Sequence, residues 1–162
     1  MDRQEELRQW FSLAKQNLEI AKHLLATFHP TPVESIWINC QQSAEKYLKG
    51  YLFINNIEPP KTHNLVDLLD MCTNIQSGFS MFERKCDFLT NFAVMPRYPN
   101  QLQITDDDAK TAIRFAEEIK EFVVNTCATQ NASITHNWTS TWPDTTTHQL
   151  ALYELTHWHS TI

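Results

Sequence analysis

The sequence predicts an all-α fold, an up-and-down bundle of four long helices plus one short helix. Three observations point there. Only two glycines occur among 162 residues, whereas sheet-rich folds spend more glycine on their turns. Apolar residues recur in alternating steps of four and three, which keeps one stripe of a helix against a neighbour. Prolines gather in short breaks, where they end helices.

The first helix is expected over residues 3–28. Leu7, Phe11, Ala14, Leu18, Ala21, Leu25 and Phe28 form its inner stripe, and "HPTP" stops it. The second is expected over residues 32–55, with Pro32 in its first turn and an inner stripe of Val33, Trp37, Cys40, Ala44, Tyr47, Tyr51 and Ile54. The short connection makes the two an antiparallel hairpin. After the break "NNIEPPKTH", a short third helix over residues 64–74 is capped by Asn64, with Asp67 near its positive end. Gly78 marks the next turn. A fourth helix over residues 80–94 turns Phe82, Cys86, Leu89 and Phe92 inward. The loop "MPRYPNQLQIT" follows. The fifth helix opens at Thr105, where Asp106, Asp107 and Asp108 suit the helix dipole. Its inner stripe is Ala109, Ala112, Ala116, Ile119 and Val123.

Residues 1–127 thus form the helical domain, and the length fits one domain with a real core. Residues 128–162 differ in composition. Lys and Arg vanish there and Thr, His and Trp accumulate, so this segment reads as a polar tail outside the core, with residues 149–158 as a short helix or docking element.

The formal net charge is −6. That argues against a non-specific grip on DNA or RNA, which needs clustered Lys and Arg. Cys40, Cys72, Cys86 and Cys127 include no C-x-x-C pair and sit among apolar neighbours, which reads as reduced core cysteine in a cytoplasmic protein. The amino-terminal "MDRQEELRQW" is charged, and no long apolar run follows, so neither secretion nor membrane insertion is expected.

The chemistry-bearing residues form three groups. On the second helix, Gln42, Glu45, Lys46 and Lys49 share a polar strip, with Glu45 and Lys49 in the favourable i,i+4 order. On pattern alone this strip is either a solvated face with a weak ion pair or the wall of a groove. His63 follows the double proline at residues 59–60; such a His caps, packs or acts as a base. Arg97 and Tyr98 sit between two prolines, which hold the guanidinium for a carboxylate or phosphate. The tail histidines His136, His148, His157 and His159 lack a Cys or carboxylate cluster to complete a coordination set, so no metal is expected. A Gly-rich phosphate loop and a nucleophile elbow are both absent, and no cofactor is implied.

"IWINCQQSAEKYLKGYLFINNIEPPKTHNLVDLLDMC", "RYP" and "TDDDAKTAIRFAEEIKEFV" together resemble the HEPN domain family, over residues 7–124. The resemblance implies a five-helix bundle, usually a homodimer, with polar residues facing a groove. Many HEPN proteins are metal-independent ribonucleases of toxin–antitoxin systems, whose signature is an Arg, four to six intervening residues, and then a His. No His follows Arg97 in that range, nor Arg84, Arg114, Arg3 or Arg8. The resemblance therefore implies the branch that pairs with a small nucleotidyltransferase and is held to bind nucleotides. On this reading Gln42, Glu45, Lys46, Lys49, His63, Arg97 and Tyr98 line the nucleotide or partner site, and no catalytic residue is assigned. The alternative is a ribonuclease with a rearranged site, His63 as base and Arg97 as phosphate clamp. A third reading is a purely structural scaffold, in which His63 and Arg97 each have buried internal partners.

Overall fold

A computed structural model describes residues 3–94 and 104–135. The protein is an all-α bundle: α1 (Arg3–Thr27), α2 (Val33–Ile54), α3 (Leu65–Ile75), a 3-10 segment (Ser77–Phe82), α4 (Glu83–Val94) and α5 (Asp106–Thr135). The loop carrying Arg97 and Tyr98, the side chain of Phe92, and the tail from residue 136, including its four histidines and the expected element at 149–158, lie outside the described residues.

Helix directions follow from the pairs that meet. Arg3 reaches the Phe53 carbonyl, Ser43 donates to the Ala14 carbonyl at 2.8 Å, and Asn17 donates to Asn39 at 2.9 Å. One number rises as the other falls, so α1 and α2 are the expected antiparallel hairpin. Thr31 meets Asp106 and Tyr51 meets Gln130, so α5 runs with α2. Phe82 packs on Phe122 and Phe88 on Phe115, so α4 runs against α5. Helices α1, α2, α4 and α5 therefore alternate in direction. The short α3 runs in the same sense as α2, because Gln41 meets His63 while Leu48 meets Cys72.

That parallel run requires residues 55–64 to travel back along α2. The reversal begins at a helix stop of the Schellman type. Asn56 takes a left-handed backbone (φ 61°), the Ile57 amide donates to the Leu52 carbonyl and the Asn56 amide to the Phe53 carbonyl, both at 3.0 Å. Asparagine tolerates this conformation better than most residues. The segment ends at Asn64, whose side chain accepts from the Val66 amide at 2.9 Å, the expected cap of α3.

α2 is the central helix and packs against α1, α3, α4 and α5. The core runs along it through Phe11, Leu18, Ile36, Leu48, Tyr51, Leu69, Leu89, Ile119 and Val123. Each such aliphatic or aromatic side chain contributes about 1.5–3 kcal/mol by burial. Gly50 lets α1 come close, since a Cβ there would lie 3.1 Å from the Phe11 ring. All four cysteines are free and buried. Burial pushes Cys40, Cys86 and Cys127 up to about 12, and Cys72 upward as well.

Some expectations need correction. Pro32 is the residue before α2, not in its first turn. Phe28 lies past the end of α1 and is 52% exposed rather than on the inner stripe. The fourth helix starts at Glu83, because residues 77–82 wind as a tighter 3-10 turn that buries Phe79 and Phe82. Gly78 sits inside that turn, where a Cβ would lie 2.8 Å from the Phe122 ring. α5 begins at Asp106 behind a reciprocal cap: the Asp108 side chain accepts from the Thr105 amide at 2.9 Å, and the Thr105 hydroxyl accepts from the Asp108 amide. It then continues past Cys127 to Thr135.

Candidate functional site

Being packed on several sides, α2 buries residues that its polar strip would leave wet in a two-helix setting. Glu45 is 4% exposed and Lys49 is 5% exposed. Lys49 Nζ donates to Glu45 Oε1 at 2.8 Å. The i,i+4 pair is present, but it is a buried ion pair and not the weak surface pair of a solvated face. A buried carboxylate needs its remaining oxygen valences filled, and two more donors do this. His63 Nδ1 lies 3.1 and 3.2 Å from the two Glu45 oxygens, and Gln41 Nε2 lies 3.4 Å from Oε2.

The returning segment brings His63 to this carboxylate. Gln41 Nε2 also donates to the His63 backbone carbonyl at 3.0 Å, so one buried amide holds both backbone and carboxylate. Behind it, Gln42 Nε2 donates to Gln41 Oε1 at 3.1 Å, and Lys46 Nζ donates to Gln42 Oε1 at 2.8 Å. Glu45, Lys49, His63, Gln42 and Lys46 are thus joined in one network. Arg97 and Tyr98 lie outside the described residues.

Gln41 was missed by the sequence reading. Its signal was there: residues 41, 45 and 49 are successive i,i+4 neighbours on one helix face, whereas Gln42 shares its face with Lys46.

The two lysines differ. Lys49 is neutralised by Glu45. Lys46 has amide oxygens of Gln42 as its hydrogen-bond partners. Burial holds its ammonium below the usual lysine range; nearby Glu45 opposes that and Lys49 adds to it. The His63 side chain is 76% exposed. An ionised carboxylate only accepts, so Nδ1 carries the proton given to Glu45. A ring with one proton then presents the bare Nε2 lone pair on the far side. The arrangement offers a cation for an anion and an oriented imidazole for a hydroxyl or a base.

Among the described residues, no group of three or more metal-capable side chains comes together, and no helix is long and apolar enough to cross a membrane.

An all-α bundle whose central helix carries a buried carboxylate–lysine pair beneath a solvent-facing imidazole defines a helical module with a polar, charge-bearing face. The chain belongs to the HEPN domain family, whose model matches residues 7–127. No curated protein and no solved structure matches it.

Proposed function

We propose that this HEPN domain is a dimeric binding module that engages a small nucleotidyltransferase and holds a nucleotide on the α2–His63 face. The observation that carries this reading is the division of labour between the lysines. Glu45 takes the hydrogen bond of Lys49, while among the described residues the hydrogen-bond partners of Lys46 are amide oxygens of Gln42, which leaves its charge available to an incoming phosphate. Arg97 adds a second phosphate contact, Tyr98 stacks on the base, and Gln42 and His63 supply polar contacts. The partner is the class of enzyme that handles the same ligand, and the two proteins form a toxin–antitoxin pair. The test is a calorimetric titration with ATP. Saturable binding is expected for the wild type and at least tenfold weaker binding for Lys46→Ala and Arg97→Ala, the loss of one charge-assisted contact each. No saturable binding by the wild type, or full affinity in both variants, removes the nucleotide part. Co-purification with a small nucleotidyltransferase and a dimeric mass in solution test the rest.

One observation favours a second reading. A buried carboxylate gripping Nδ1 and leaving Nε2 outward is the geometry of an oriented general base. On this reading the protein is a metal-independent ribonuclease in which His63 takes the proton and Arg97 clamps the phosphate. Incubation with RNA decides it: cleavage by the wild type that disappears in His63→Ala supports it, and equal inactivity of both ends it.

A further inference from the structure

The amides of Gln41 and Gln42 have a single consistent orientation. Lys46 Nζ is only a donor, so the Gln42 atom 2.8 Å away is its oxygen. The Gln42 nitrogen then faces Gln41 Oε1 at 3.1 Å. The Glu45 carboxylate and the His63 carbonyl are only acceptors, so Gln41 turns its nitrogen to them. The charged groups at the two ends fix amide orientations that would otherwise be open to a flip.

We infer that Gln41 is a positioning residue for the His63 imidazole. The inference rests on the reading of His63 as a group that meets the ligand. A ring that is 76% exposed has little packing to hold it, so its direction depends on hydrogen bonds. Glu45 holds the ring nitrogen, and Gln41 holds the backbone from which the ring projects. Gln41 is itself 5% exposed and lies on the rigid central helix, so its amide does not exchange freely with water. Without it, the backbone at His63 drifts, Nδ1 exchanges Glu45 for water, and the Nε2 lone pair loses its fixed direction. Gln42 acts one step back, occupying the Gln41 oxygen and preventing the amide from turning over.

The test reads the imidazole directly. Long-range proton–nitrogen spectra of nitrogen-15-labelled protein are recorded with the His63 ring in its one-proton state. Wild type is expected to show the proton on Nδ1. Gln41→Met keeps chain length and burial but removes the donor; its His63 nitrogens are expected to move to the mixed-tautomer pattern of a free imidazole. Gln41→Glu, which sets an oxygen against two acceptors, is expected to do the same, and it serves as the second variant should Gln41→Met fail to fold by circular dichroism. A wild-type His63 pattern in either folded variant overturns the inference. These spectra need no ligand, so they decide the role of Gln41 even if ATP fails to bind the wild type, a result that would instead remove the nucleotide reading. Where ATP binds, Gln41→Met is expected to weaken it by up to about tenfold, the worth of one hydrogen bond misplaced.

Discussion

Replacing Glu45 by Leu tests the central claim about the site, that its charges are buried and mutually dependent. At 2.8 Å the Coulomb attraction between Glu45 and Lys49 is about 6 kcal/mol at an effective dielectric near 20. Removing two ions from water costs several kcal/mol each, so the pair as a whole contributes little net stability. One charge without the other is a different case. With Glu45 gone, Lys49 stays 5% exposed with no other carboxylate beside it among the described residues, and the His63 ring and the Gln41 amide lose their carboxylate acceptor. The expected loss for Glu45→Leu is about 3–5 kcal/mol, a large fraction of the roughly 5–15 kcal/mol stability of a typical domain. Lys49→Met is expected to cost less, about 1–3 kcal/mol, because Glu45 keeps two other donors. The double variant is expected to recover most of the loss, as apolar replacement of a buried pair commonly does. Urea unfolding followed by circular dichroism measures all three, and the double-mutant cycle isolates the pair. The losses are also expected to change little with added salt, since buried charges are poorly screened. Two results would refute the reasoning: Glu45→Leu within about 0.5 kcal/mol of wild type, or a double variant that loses the sum of the single losses.

Three further outcomes follow from the packing. Tyr51→Phe removes the hydroxyl that accepts from Gln130 Nε2 at 3.0 Å and is expected to cost about 1 kcal/mol in urea unfolding; an unchanged midpoint would show that this α2–α5 bond contributes nothing. The buried thiols, three of them pushed up to about 12, are expected to resist a thiol reagent at neutral pH and to react together at the rate of global opening; one thiol that labels rapidly in the native state would contradict their burial. Lys22 gives a pH dependence. Burial opposes its charge, but Glu117 and then Glu19 outweigh that and raise it above the usual lysine value. A raised base contributes stability that is present below its unfolded value and is lost as pH rises through the folded one. Lys22→Met is therefore expected to be destabilising at neutral pH and indistinguishable from wild type in strongly alkaline solution, and an equal deficit at both would refute the assignment.

The fold was legible because it rests on local periodicity. The stripes through Phe11, Ala14 and Leu18 and through Cys40, Ala44, Tyr47 and Tyr51 are written at helical spacing, and these side chains are the buried ones. The Asn64 cap was also readable, because a cap depends on residues adjacent in sequence. Where the reading went astray, a distant element had intervened. The pattern of Phe82, Cys86 and Leu89 starts the fourth helix at residue 80, but residues 77–82 wind as a 3-10 turn whose Phe79 and Phe82 rings pack against Phe122.

The site follows the same division. The helix pattern placed Gln42, Glu45, Lys46 and Lys49 on one strip, but nothing in α2 states that the strip is covered. The cover comes from the helices packed around α2, and a further partner from the chain that follows. Asn56 reverses the direction, the segment holding Pro59 and Pro60 leads back along α2, and His63 arrives over Glu45. That return gives the buried ion pair of α2 the further partners that hold it. It also promotes Gln41 from one more polar helix residue to the link between helix and imidazole. Spacing therefore put Glu45 and Lys49 on one strip, whereas the partners that Glu45 gains from Gln41 and His63 depend on a connection whose course only the folded chain fixes.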